Sequence, residues 1–222
     1  MQIDPKLPQV RTKIQKLGEQ LAAEKLPTGG STELFEAIGR HQLIKLIQNG
    51  LLPDSYVLDV GCGALRGGYW LIHFLRPDRY CGIEPNKVML AGGIRVLLSP
   101  EILSEKRPAF DHNRDFNFGV FGRKFDFVLA RSIWSHASLL QIDHMLGMFI
   151  STSSPDGILL TSWIPTKDPA KEYAGNDFSW PAIRYRRETL IDRVERAGLC
   201  AEVQDAAQGQ VWLRVSKSRQ SL

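Results

Sequence analysis

The chain has 222 residues, 43% of them hydrophobic and 23% charged, with a net charge of +4. That length suits one ample domain, able to bury roughly 70% of its unfolded surface without staples. The three cysteines, Cys62, Cys81 and Cys200, are scattered, which argues against a disulfide framework, and no Cys/His spacing suggests a bound metal.

The opening residues lack a charged-then-apolar leader, and no apolar run reaches the length of a membrane span. A reduced, cytoplasmic protein with no membrane partner is expected. Residues 14–26 carry apolar side chains at helical spacing and read as a helix. "PTGGST" stops it and offers Ser31 or Thr32 to cap a second helix running to Gln48. From there strand and helix alternate. Strands are expected over 56–60, 80–83, 125–130 and 158–163, with helices over 65–75, 86–98 (Asn86 as cap), 139–150 and 187–197. Two closing strands, 199–204 and 211–215, are joined through "DAAQGQ". This alternation predicts an α/β sheet covered by helices on both faces. The stretch 164–186 has no clear element and is too long for an ordinary connection, so it reads as a lid or as partly disordered. The tightest basic cluster, Arg184, Arg186 and Arg187 in "IRYRR", is no stripe of the kind that grips a phosphate backbone, so no nucleic-acid partner is expected.

The most telling stretch is "LDVGCGALRGG", residues 58–68. In open α/β sheets ligands bind beyond the carboxyl ends of the strands, so this turn is the default site. Gly61 and Gly63 fit a dinucleotide fingerprint, but its sixth position is Arg66, and Asp59 beside the turn would repel a pyrophosphate. The same carboxylate would attract an ammonium or sulfonium group. Glu84 follows 21 residues after Gly63, a spacing that suits a carboxylate accepting both ribose hydroxyls. A ribose with a cationic, phosphate-free tail describes S-adenosylmethionine.

"VLDVGCGALRGG", "YCGIEPN" and "FDFVLARSIWSHAS" resemble the first three blocks of the class I S-adenosylmethionine-dependent methyltransferases, over roughly residues 51–163. More narrowly, "GRHQLIKLIQNGLLPDSYVLDVGCGALRGG" is similar to a bacterial subgroup with Arg-Gly-Gly after the turn. The resemblance implies a Rossmann-like, seven-stranded, mostly parallel sheet whose last strand is antiparallel. An N-terminal helical extension (1–50) would precede a methyltransferase domain (51–222), with 164–186 as the substrate lid.

It also implies roles. Gly61 and Gly63 would let the backbone approach the methionyl part of the cofactor, with Cys62 a small filler between them. Asp59 would receive the amino group, and Glu84 the ribose hydroxyls, with Pro85 and Asn86 near the adenine. Asp115 and Phe116 would read and cover the adenine, with Asn113 competing for the polar role. Ala130, Arg131 and Ser132 would line the reactive side. The carboxylate needs a cation, for which Arg40 and Arg66 are the candidates. His136 is placed as a general base, or equally to cap the following helix or to hydrogen-bond the backbone. His41 is a weaker candidate for the base, and His73 reads as packing. "ARSI" stands where methyltransferases of planar amines carry an NPPY-like tetrapeptide, which disfavours nucleobase N-methylation. A small-molecule or carbohydrate hydroxyl is the favoured acceptor, with a carboxylate next. Trp134, Trp163, Phe178, Trp180 and Tyr185 are the expected walls of its pocket, and Arg184 or Arg186 a contact for an acidic group. A non-catalytic cofactor-binding partner protein and a nicotinamide-dependent oxidoreductase are the competing readings. Oligomeric state is left open.

Overall fold

The computed structural model describes residues 12–26, 28 and 31–217. Seven strands, Val57–Val60 (β1), Tyr80–Ile83 (β2), Ala109–Asp111 (β3), Phe125–Ala130 (β4), Ser153–Trp163 (β5), Leu199–Ala207 (β6) and Gln210–Lys217 (β7), form one sheet in the order β3-β2-β1-β4-β5-β7-β6. The pairings from β3 through β5 are parallel, and β7 runs antiparallel between β5 and β6. The order reverses between β1 and β4. At such a switch point the connecting helices diverge to opposite faces and leave a crevice at the carboxyl ends of the strands.

The described helices are Lys13–Ala23 (α1), Phe35–Gln48 (α2), Gly68–Phe74 (α3), Lys87–Leu97 (α4), Pro100–Lys106 (α5), Leu139–Thr152 (α6) and Arg187–Arg196 (α7). Alternate residues of the central strands feed two apolar cores, as the two-residue period of a strand requires. Leu58, Val60, Val128 and Ala130 pack with Ile142, Leu146 and Phe149 of α6 and Leu190 of α7. Val57, Phe127 and Leu129 pack on the other face with Leu21, Leu46, Leu71 and Leu90 from α1 to α4. Both faces are therefore covered, and β1 and β2 are buried along their whole length. No helix among the described residues is long and apolar enough to cross a membrane.

Differences from the sequence reading lie mostly at element starts. The second helix begins at Phe35. Neither Ser31 nor Thr32 caps it through a side chain; instead the Phe35 N–H donates to the Thr32 carbonyl (3.0 Å) in a backbone turn. The third helix begins at Gly68 and not at Leu65, because Leu65 sits in the left-handed region (φ 59°) and prolongs the turn. The Asn86 cap is as expected, its side chain accepting from the Met89 N–H at 3.0 Å. Helix α5 and strand β3 are absent from the sequence reading. The three half-buried residues of β3 lie at the sheet edge and offer no apolar run to read.

Segment 164–186 contains only a short 3-10 turn, Pro169–Lys171, and a bridge between Pro165 and Tyr185. It is nevertheless tied to the loop after β4: Ser179 N–H donates to the His136 carbonyl and Ile183 N–H to the Ser135 carbonyl, both at 2.8 Å. On the opposite flank, α2 reaches the β6–β7 hairpin through a Lys45–Asp205 ion pair and an Asn49–Gln204 amide contact.

Candidate functional site

A cavity of ≈ 1480 Å³ opens at the carboxyl ends of β1, β2 and β4. Its floor is the turn between β1 and α3. Gly61 (φ 70°) and Gly63 (φ 57°) both adopt backbone conformations that side chains disfavour. A Cβ on Gly61 would also strike the Ile133 side chain, whereas one on Gly63 would meet almost nothing, since that face opens to the cavity.

Glu84, 6% exposed, accepts from Gly63 N–H (3.0 Å) through one oxygen and from Asn86 N–H (2.8 Å) through the other. Burial pushes its pKa up, and the two backbone donors pull it back. Asp59, 4% exposed, accepts from the Tyr80 hydroxyl at 2.8 Å. Burial pushes its carboxyl up to about 7 despite that bond. A cation lodged beside it would favour the ionised form again. Cys62 is buried in the turn, and burial together with Asp59 and Glu84 raises its thiol well above the ordinary value, which disfavours the thiolate. Pro85 and Asn86 line the cavity next to it.

The two candidate arginines separate cleanly. Arg40 is exposed, is bound to Glu36 at 2.8 Å, and lies outside the cavity lining. Arg66 is 6% exposed and lines the cavity. Its Nη2 donates to the Thr28 carbonyl, and its guanidinium lies over the Phe35 ring, 5.2 Å from the centroid. Its Nε and Nη1 have no hydrogen-bond partner among the described residues. Burial, with nearby Arg131 as the second cause, lowers its pKa to about 10. Two unmatched donors on a buried guanidinium are costly, which favours an anion brought within their reach. The residues present thus fit the carboxylate of S-adenosylmethionine.

Around the far end, Asp115 is exposed and outside the lining, while His112, Asn113, Arg114 and Phe116 face the cavity. Asp111, on β3, positions Asn113 by accepting from its main-chain N–H (2.8 Å) and its side-chain amide (2.6 Å). The register of the loop therefore favours Asn113 over Asp115.

Beyond β4, Ala130 is buried in the core below the cavity, and Arg131 and Ser132 line it. Ser132 N–H donates to Ser162 Oγ (2.9 Å), and Ser132 Oγ accepts from Gln210 Nε2 (2.7 Å). His136 lies 2.9 Å through Nδ1 from the Ser179 carbonyl. A carbonyl only accepts, so Nδ1 carries the proton and the neutral ring keeps a lone pair on Nε2. Burial lowers the His136 pKa, the Ser179 bond opposing it, so the ring is neutral around neutral pH. Trp180 tilts against the ring at 4.2 Å between centroids, and Phe178 stacks at 5.6 Å. Both line the cavity, Trp180 at 78% exposure. Trp134, Trp163 and Tyr185 do not line it. They are buried in the core under α6 and α7, where the Tyr185 hydroxyl donates to the Ala137 carbonyl at 3.0 Å. Trp134 and Trp163 are expected near strand ends and Tyr185 in the 164–186 segment; all three pack into the core and not toward the cavity. Neither Arg184 nor Arg186 reaches the cavity, and Arg186 pairs with Glu172 at 2.8 Å.

Residues 9–206 match the family model of a methyltransferase domain. The chain belongs to the S-adenosylmethionine-dependent methyltransferases. Solved structures share the fold at low identity. Magnesium protoporphyrin IX methyltransferase from Synechocystis PCC 6803, with bound S-adenosylmethionine, is 13% identical at a TM-score of 0.65, over 95% of this chain and 100% of that one. The glycopeptide N-methyltransferase MtfA is 12% identical at 0.62, over 81% and 90%. The [4+2]-cyclase SpnF is 16% identical at 0.63, over 92% and 93%.

This methyltransferase also draws residues into its cavity that the motifs do not announce: Ile38 and Gln42 from α2, and Gln208 and Gln210 from the β6–β7 hairpin. Gln42 carried a signal, as an amide on the buried face of an amphipathic helix. The two glutamines did not, since a polar turn is what any hairpin shows.

Proposed function

We propose that this methyltransferase methylates a hydroxyl of a small-molecule or carbohydrate acceptor, with His136 Nε2 as the proton acceptor. The observation that carries the reading is the fixed tautomer of His136: its Nδ1–H is committed to Ser179, which leaves a basic nitrogen in a cavity shared with the glycine turn. When bound, S-adenosylmethionine supplies an electrophilic methyl on sulfur, transferred in line to the nucleophile. Asp59 would hold its amino group, Arg66 its carboxylate and Glu84 its ribose hydroxyls. Gly61 and Gly63 would give the backbone its close approach, while Pro85, Asn86, Asn113 and Phe116 would surround the adenine. His136 takes the proton that the hydroxyl releases as the new oxygen–carbon bond forms. Phe178 and Trp180 wall the acceptor and keep it against the methyl, and such positioning supplies much of the rate in a displacement of this kind. The N-terminal helices and segment 164–186 cover the two flanks.

Formation of S-adenosylhomocysteine by the purified protein, measured over a panel of phenols, sugars and aliphatic alcohols, tests the reading. Turnover on at least one hydroxyl acceptor, lost in His136→Gln while S-adenosylhomocysteine still binds, is the expected result. Cofactor binding with no turnover on any acceptor overturns it in favour of a non-catalytic binding protein, and turnover confined to amines overturns the hydroxyl assignment.

A further inference from the structure

The charges in the cavity are unbalanced. Among the described residues, Arg66, Lys87, Arg114 and Arg131 line it against two carboxylates, Asp59 and Glu84. Both carboxylates are already engaged, one by Tyr80 and the other by backbone N–H groups, and neither pairs with an arginine among the described residues. S-adenosylmethionine does not restore the balance, because it brings an ammonium and a sulfonium for a single carboxylate.

With Arg66 assigned to the methionyl carboxylate, three cations are left over; Lys87 and Arg114 are exposed, and Arg131 is the half-buried one. It follows β4 directly, on the same loop as Ser132 and His136, and its burial lowers its pKa. Its guanidinium donates to the neutral Oε1 of Gln208 at 3.0 Å, and no carboxylate among the described residues forms an ion pair with it. Burial is the main cause of the lowered pKa of Arg66 and the charge of Arg131 adds to it, so the two guanidinium groups repel each other. A guanidinium has five donors in a rigid fork, the geometry that best matches a carboxylate. The methionyl carboxylate is assigned to Arg66, the more deeply buried of the two, which stands in the segment between β1 and α3 and has two donors without a partner among the described residues. Arg131 instead leans toward the β6–β7 turn. The rim above carries apolar side chains, since Leu34, Val88, Phe178 and Trp180 are exposed and line the opening, interspersed with polar and cationic ones such as Lys87, Arg114 and Gln208.

We infer that Arg131 selects an acceptor bearing a carboxylate, held by its guanidinium while an apolar or aromatic body lies against Phe178 and Trp180. This rests on the hydroxyl-methylation reading and narrows its acceptor to an amphipathic hydroxy acid. Arg131 is then a specificity residue for the acceptor and not a cofactor ligand.

The test is calorimetric titration of the full chain in three steps. First, S-adenosylhomocysteine is titrated into wild type, Arg131→Gln and Arg131→Lys. Next, para-hydroxyphenylacetate and its uncharged amide, para-hydroxyphenylacetamide, are titrated into each preloaded protein. The acid is expected to bind wild type at least about tenfold more tightly than the amide, as a charge-assisted bond implies. In Arg131→Gln that preference falls to within about threefold, Arg131→Lys keeps part of it, and S-adenosylhomocysteine affinity is the same in all three. Equal binding of acid and amide, no binding of either, or an undiminished preference in Arg131→Gln overturns the inference. A large loss of S-adenosylhomocysteine affinity in Arg131→Gln alone also overturns it, by placing Arg131 on the cofactor. Failure of wild type to bind S-adenosylhomocysteine is read in the first titration and brings down the underlying methylation reading instead.

Discussion

The two ends of the cavity are built by different means. The end formed by β1, β2 and the turn between β1 and α3 is continuous chain, shaped by backbone: two glycines at positive φ and a glutamate clamped by the N–H groups of Gly63 and Asn86. The end around His136 is assembled from distant pieces. The loop after β4, segment 164–186 and the β6–β7 hairpin meet there through side-chain amides, hydroxyls and rings. The first construction tolerates little variation, because a Cβ or a lost carboxylate disturbs the path of the chain itself. The second can change its walls without moving its supports. A fold that hosts a porphyrin methyltransferase, a glycopeptide N-methyltransferase and a cyclase is well served by that division.

The comparison can be broken at its strongest point first. His136→Gln is expected to lower kcat by about 10²–10⁴-fold with S-adenosylhomocysteine affinity unchanged, measured by steady-state kinetics and calorimetry. Because burial holds the wild-type imidazole below the ordinary histidine pKa, kcat/KM should rise with pH through a value lower than that of free histidine. Activity then persists into mildly acidic solution, and that acidic limb should be absent from the residual rate of His136→Gln. Glu84→Ala tests the other end. It removes both the acceptor of two backbone donors and the partner proposed for the ribose, and should weaken S-adenosylhomocysteine by about 100-fold, from roughly 1.5–3 kcal/mol per charged hydrogen bond. Trp180→Ala should raise the acceptor KM by about tenfold and leave cofactor affinity alone; a fall in cofactor affinity would erase the distinction between the two ends.

The smallest effect is on stability. Folded Asp59 binds its proton more tightly than an ordinary carboxyl, which titrates near 3.8, since burial lifts it to about 7. The stability it contributes is therefore present in acid and is lost as pH rises through about 7. Asp59→Asn keeps an acceptor for the Tyr80 hydroxyl and has no charge to bury. The cofactor-free variant should melt a few degrees above wild type at pH 8 and converge with it near pH 4. Equal melting temperatures at both pH values would show that the carboxylate is solvated in the folded chain.

What could be read from the sequence follows the same division. Strands β1, β2 and β4, the Asn86 cap and the glycine turn are contiguous patterns with a local cause, and each lies where the residues indicate. Asp59, Glu84 and Arg66 could be placed along the cavity because their distance from the turn is fixed along the chain. Arg40 could not be judged that way, since one helical position decides between the cavity and Glu36. Trp134, Trp163 and Tyr185 show the same limit: an aromatic near a strand end or in the 164–186 segment is readable, but whether it turns to the core or the cavity depends on α6 and α7. The glutamines of the β6–β7 hairpin enter the site through a partner strand that only the sheet order reveals.

Ser179 holds His136 twice, through its N–H to the histidine carbonyl and through its own carbonyl to the ring. Anyone grafting the 164–186 segment of another homologue onto this chain to alter its acceptor would thus exchange the tautomer lock together with the pocket wall. A chimera that kept the wall but lost the lock would free the ring to rotate and to carry its proton on either nitrogen. Recombination libraries built on this scaffold should accordingly place their crossovers so that residues 131–138 and 164–186 travel as one block.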